Sequence, residues 1–321
     1  MRSAAIENKE SRVVIAKKGR LLKSIKRHKL YYFLIIPGLL YFLIFHYIPM
    51  FGIIIAFKDV SPFAGVEGIF TSEWVGLKHF ERFFSSYYFW DVLSNTVMIS
   101  FYKLLFGFPA PIILALLLNE VRQMVFKRTI QTISYLPHFI SMVVLAGLVT
   151  SVLSTDGGIL NSVIEFFGGE PIHFLGGKEY FRSVLVASDI WKSIGWGSIL
   201  YLAAMAGINP QLYEAAKIDG ANRWQQTWHI TLPGISFVVV LMLILNVGNF
   251  LDAGFEQILL LYSPAVYEVA DIIDTYVYRE GLIAMQYSYA TAIGIFKNVI
   301  GAVLILGANY VAKRLNQPGI W

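Results

Sequence analysis

The sequence predicts an all-α, polytopic membrane protein, and three observations carry that expectation. Mean hydropathy is +0.60, with 56% hydrophobic and only 15% charged residues, which is too apolar for a soluble domain of 321 residues. Apolar stretches of about 20 residues or more, the length that crosses a bilayer, recur along the chain. Lys and Arg gather at the ends of those stretches and favour alternate connections.

Residues 1–29 hold ten Lys or Arg with Val14, Leu21, Leu22 and Ile25 interleaved, the pattern of a basic helix lying on an anionic inner leaflet. Leu30 to Phe57 reads as the first span. It is far longer than a signal core and lacks a small-residue cleavage pattern, so no cleaved leader is expected. Residues 58–90 turn polar but carry Trp74, Phe80, Phe83, Phe84, Tyr87, Tyr88, Phe89 and Trp90, which suits an interfacial helix in an aromatic belt. Further spans are expected at 91–118, 133–155, 183–206, 235–261 and 286–312. Six transmembrane helices then occupy one domain over 30–312, between the basic segment and a tail at 313–321.

Orientation follows from the basic residues. Segments 1–29, 119–132, 207–234 and 312–321 hold ten, three, two and two Lys or Arg, against three, two and one in 58–90, 156–182 and 262–285. The first group is the cytoplasmic one by the positive-inside rule, which puts both termini inside. Dispersed in this way, the net charge of +5 gives no reason to expect a nucleic-acid partner.

Several chemistries are excluded. There is no cysteine, hence no disulfide or thiolate metal site. No phosphate-binding Gly-x-x-x-x-Gly-Lys-Ser/Thr loop, His-Glu-x-x-His or Gly-x-Ser-x-Gly occurs, and the six histidines are scattered, so neither an enzyme nor a bound metal or cofactor is expected.

Charges within spans are costly and usually face a bundle interior or a cavity. They are Lys103, Asp189, Lys192, Asp252, Glu256 and Lys297. Internal ion pairing that only orients helices and a place on a solute pathway both explain them. Polar groups beside aromatic faces suit sugars, which present hydroxyls at the ring edge and C–H bonds on its face. Asn246, Asn249, Phe250 and Glu256 in span five, and Trp191 with Lys192 in span four, are such groupings. Three lysines at similar depth further suggest a ring that holds an anionic sugar.

One polar stretch between spans four and five is patterned unlike the rest. Asn209 and Pro210 read as an N-cap and a first-turn proline, Leu212 to Ile218 as a short helix stopped at Gly220, and a second short helix as ending before Pro233. Glu214-Ala215-Ala216, Asp219-Gly220-Ala221, and then Trp228, Ile230, Leu232 and Pro233 resemble the EAA loop of the membrane subunits of binding-protein-dependent ABC importers. Trp228 stands where phenylalanine is usual there. Asn95-Thr96, Ala115 to Glu120, Tyr135-Leu136-Pro137, Trp191 to Gly195 and Gly319-Ile320-Trp321 resemble the branch that takes up oligosaccharides and complex polysaccharides, alginate importers included.

The resemblance implies a type I importer permease fold, with the loop 209–233 docking on a separate ATPase subunit through Glu214, Ala215, Ala216, Asp219, Gly220 and Ala221. It implies a bacterial inner-membrane protein with a second permease subunit, two ATP-binding subunits that hold ATP and magnesium, and an extracytoplasmic solute-binding protein. It draws Lys297, Asn246, Asn249, Phe250, Asp252 and Glu256 toward the sugar pathway, beside Lys103. An ion-gradient-driven sugar carrier is the alternative, but such carriers usually show an internal duplication, and none is evident.

Overall fold

The computed structural model describes residues 27–314 and is helical, with an isolated bridge between Lys58 and Trp74 as its extended pairing. The basic segment expected before Arg27 and the tail after Arg314 lie outside the described residues. In chain order the helices are α1 Lys29–Phe57, α2 Gly65–Thr71, α3 Lys78–Phe84, α4 Phe89–Glu120, α5 Met124–Tyr135, α6 Met142–Leu153, α7 Ile159–Phe166, α8 Lys178–Ala206, α9 Pro210–Ile218, α10 Arg223–Gly248, α11 Phe255–Leu261, α12 Tyr267–Ala270, α13 Ile273–Tyr278 and α14 Tyr287–Arg314.

Among the described residues α1, α4, α10 and α14 are long and apolar enough to cross a membrane, and the bent pair α5–α6 makes a fifth. The bend is 107°. Helix α8, at 29 residues, is also long enough, about 43 Å at roughly 1.5 Å per residue, but Arg182, Asp189 and Lys192 make it more polar.

Two expectations are corrected here. Span five does not run over 235–261: α10 stops at Gly248, residues 249–254 leave the helix, and α11 starts at Phe255. Nor does a second short helix end before Pro233, because the helix begun at Arg223 continues through that proline to Gly248. Proline inside a helix lacks an N–H and clashes with the carbonyl four residues back. The turn before it relieves this by widening to π geometry at Thr227–Thr231. The same device recurs with the same spacing at Leu43–Tyr47 before Pro49 and at Lys103–Gly107 before Pro109.

Buried apolar residues form separate layers. Ile99, Phe181, Leu185, Ala253, Ile258 and Ile272 pack at the end of the bundle that carries the longer connections, beside a second cluster of Phe83, Phe89, Val92, Ile273, Tyr276, Tyr289 and Ile293. Ala115, Tyr201, Met205 and Ile235 pack toward the Glu214 loop. Between them α4, α8 and α10 carry polar residues. Small residues recur along the last span at Ala290, Gly294, Gly301 and Ala308, and part of that strip packs within the chain, with Gly301 against the Gly248 carbonyl and Ala290 against Gly281.

Candidate functional site

Two cavities, the larger of them open and mostly apolar, share lining residues at the break in span five. The smaller, about 390 Å³, is bordered by Ser100 and Lys103 of α4, Asp189, Ser193 and Tyr201 of α8, Asn246 of α10, and Asn249, Phe250, Asp252 and Gly254 of the break. The larger, about 1280 Å³, is bordered by Asn249, Asp252, Phe255, Asp274, Tyr278, Tyr287, Lys297 and Asn298 among others. Asn249 and Asp252 face both. The larger space exceeds the roughly 300–1,000 Å³ of ordinary small-molecule pockets.

Lys103 is held from behind. Its Nζ donates to Gln257 Oε1 at 2.7 Å and lies 3.6 Å from Asp189 Oδ1, with 13% of its side chain exposed. Gln257 is fixed because its amide donates to Leu185 O at 3.0 Å and to Ser188 Oγ at 2.8 Å. The close packing also explains Gly254. Its φ of +89° is the left-handed region, and a Cβ there would collide with the Lys103 ammonium, so only glycine satisfies both demands.

Lys297 pairs with Asp274 Oδ2 at 2.5 Å across the larger cavity. The partners of the three intramembrane lysines do not form a ring of free cations, since Lys192 donates to the backbone carbonyl of Ile140. That carbonyl belongs to the break between α5 and α6, where helix geometry leaves it without a partner. The Trp191 to Gly195 stretch therefore seats α8 on the bend: Gly195 abuts the Ser134 carbonyl, and Trp196 stacks on His138 at 4.5 Å. Trp191 borders a separate apolar groove with Leu145, Leu148 and Tyr180. Glu256 is exposed on α11 and borders neither cavity at the break.

The loop 209–233 projects from the opposite end of α10. The Asn209 side chain accepts from Gln211 N, and α9 ends in a Schellman motif, with Ala221 N donating to Ala216 O at 2.8 Å and Gly220 N to Lys217 O at 3.1 Å. Gly220 has φ +78°. Asn222 and Gln225 then form a capping box that starts α10. No residue of α9 is buried, Ile218 is 87% exposed and Trp224 69%. Glu214, Ala215 and Asp219 stand on this open surface. The element is nonetheless braced, by Tyr213 to Thr231 at 2.9 Å and by Arg223 to Glu120 of α4 at 2.7 Å.

Asn95 and Thr96 prove to be fastening points. Asn95 Nδ2 donates to the carbonyls of Glu268 and Asp271, Arg182 donates to Asn95 Oδ1 at 2.7 Å, and Ile273 N donates to Thr96 Oγ1 at 2.9 Å. Together they tie residues 268–273 across α4 and α8. At the surface Lys178 pairs with Glu268 and holds that carboxyl below its usual range. Ser100 is the bordering residue that the sequence did not single out, whereas Gln257 belongs to the polar and aromatic group of span five. Only the spacing of Ser100 and Lys103, one helical turn apart, hinted that they share a face.

A helical bundle with cavities at mid-height, dry clusters on either side and a braced, unburied two-helix projection defines the membrane subunit of a transporter. The chain belongs to the family of binding-protein-dependent transport system inner membrane components, whose model matches residues 107–317. It is 50% identical over 305 residues to the polygalacturonan/rhamnogalacturonan transport system permease protein YteP of Bacillus subtilis, covering 95% of this chain and 94% of that one. It is 48% identical over 316 residues to protein LplB of the same organism, covering 98% of each. The fold is that of ABC importer permeases: a chain from the crystal structure of a bacterial ABC transporter involved in the import of the acidic polysaccharide alginate superposes with TM-score 0.86 at 45% identity, covering 93% of this chain and all of that one.

Proposed function

We propose that this chain is the permease subunit of an ATP-driven importer that carries oligosaccharides, or fragments of polysaccharides rich in uronate, into the cell by alternating access. The observation that carries the reading is the continuity of α10, one helix that starts in the exposed docking loop at Arg223 and ends at Gly248, beside the residues that line both cavities. Movement imposed on the loop therefore reaches the solute space through a rod of about 39 Å. The sugar class is supported by a relative named for polygalacturonan and rhamnogalacturonan and by structures of an alginate importer, one of them in complex with a pentasaccharide-bound periplasmic protein.

In this reading Glu214, Ala215, Ala216, Asp219, Gly220 and Ala221 meet an ATPase subunit that holds ATP and Mg²⁺ itself, and this chain performs no covalent chemistry. A second permease subunit, a pair of ATPases and an extracytoplasmic binding protein complete the machine. Six spans with both termini in the cytoplasm place the loop beside the ATPase. Lys103, Asn246, Asn249, Phe250, Asp252 and Lys297 border the route. Trp191, Lys192 and Glu256 stand outside it in this conformation.

The test is uptake of a galacturonate trisaccharide by membrane vesicles containing the assembled transporter. Uptake is expected to require both the binding protein and ATP, and to persist when an uncoupler collapses the ion gradients. Uptake driven by the gradient alone would establish a secondary carrier instead.

A further inference from the structure

Ser100 is 5% exposed, and its Oγ is the one buried side-chain polar atom among the described residues with no hydrogen-bond partner. Its neighbours behave otherwise. Thr96, one turn earlier, donates to Val92 O at 2.6 Å, and Ser188 and Ser198 on the facing helix donate to Val184 O and Gly195 O. Leaving a buried hydroxyl unpaired is costly, and Ser100 borders the smaller cavity, so a turn about its Cα–Cβ bond would give the hydroxyl a partner in a molecule that enters there.

Lys103 lies on the same helix face one turn further on and also has capacity to spare. An ammonium carries three donors. Gln257 takes one at 2.7 Å, while Asp189 at 3.6 Å is beyond ordinary hydrogen-bond length. At about 390 Å³ the cavity holds the volume of roughly a dozen waters, enough for a sugar unit.

We propose that Ser100 is a specificity-determining contact that hydrogen-bonds a ring hydroxyl of the cargo, with the Lys103–Asp189 pair taking the adjacent hydroxyl; this rests on reading the chain as an oligosaccharide permease. Charge selects hydroxyls over a carboxylate. The one lysine bordering this cavity is accompanied by two carboxylates, Asp189 and Asp252, so a further anion would be repelled. A hydroxyl donates to Asp189 and accepts from Lys103 or Ser100 without adding charge. The carboxylates of a uronate chain then point out of this cavity.

The experiment uses the full transporter in proteoliposomes, with galacturonate trisaccharide loaded on its binding protein as the probe. Ser100→Ala is expected to lower uptake about five- to tenfold at limiting loaded binding protein, the loss of one hydrogen bond. Asp189→Asn is expected to lower uptake as well. An unchanged Ser100→Ala overturns the proposal. So does an Asp189→Asn variant that takes up the uronate faster, since freeing Lys103 would then help to hold a carboxylate. Should Ser100→Ala fail to assemble, Ser100→Cys, near in volume and a weaker donor, gives the same reading. If the wild-type transporter does not move the trisaccharide, the assignment of cargo class fails, and that is seen before any variant is made.

Discussion

Asp271 illustrates how single residues hold the far end of the bundle. It is 5% exposed, receives two hydrogen bonds from Arg279 at 3.1 and 2.6 Å and a third from Thr275 at 2.7 Å, and its own carbonyl accepts from Asn95. Burial alone would lower the pKa of Arg279, but the Asp271 carboxylate outweighs it and raises the value, so the guanidinium stays charged. Its charge also sits over the rings of Tyr267 and Tyr276. Removing one member of such a pair strands the other. Asp271→Ala is therefore expected to cost roughly 3–5 kcal/mol, whereas the double replacement Asp271→Ala/Arg279→Leu recovers much of that loss. Thermal unfolding of the detergent-solubilised complex measures both; equal losses in the single and double variants would show that the pair is not the cause. None of this was legible beforehand. The Asn95-Thr96 pair was visible as a motif, but its partners lie 87 to 177 positions along the chain, and a single sequence carries no signal for such pairings.

At the scale of elements, legibility followed local chemistry. Asn209, Pro210 and Gly220 marked α9 correctly because caps and left-handed turns are set by the residues themselves. Pro233 misled, since whether a proline ends a helix or is absorbed by a widened turn depends on neighbours that support the π segment. The break at 249–254 was hidden because Phe250, Leu251 and Ala253 keep the stretch apolar, while Gly254, at φ +89°, packs on Lys103 from a helix far away in sequence. The docking loop yields a prediction at this scale. Glu214 is exposed and has no ion pair or hydrogen bond within the described chain, so Glu214→Lys should leave folding unaltered. Gly220→Val forces a branched side chain into φ +78°, at a cost of about 1–2 kcal/mol confined to one exposed turn. Both variants are expected to reach the membrane in normal amount and to lose tenfold or more of ATP-driven uptake while the ATPase still turns over. Uptake within twofold of wild type for both would refute the coupling role.

For the whole molecule the question is whether α10 acts as a rod. Helix α10 packs on α8 and α14, and the break at 249–254 separates it from α11, so it can tilt as a body without unwinding. The exposed Arg223–Glu120 pair joins the start of α10 to the end of α4, and α4 also carries Lys103 beside the cavity. This chain has no cysteine, so an introduced thiol is the only site on it to label. Spin labels at His229→Cys and Leu245→Cys, sixteen residues apart on α10 and separated by about 24 Å of helix, are expected to keep their distance when ATP is added to the assembled transporter. Labels at Leu245→Cys on α10 and at Val299→Cys on α14, which borders the larger cavity, are expected to move apart or together by several ångströms in the same step. If instead the first distance changes and the second stays fixed, α10 bends rather than tilts, and the loop's motion is absorbed before it reaches the solute.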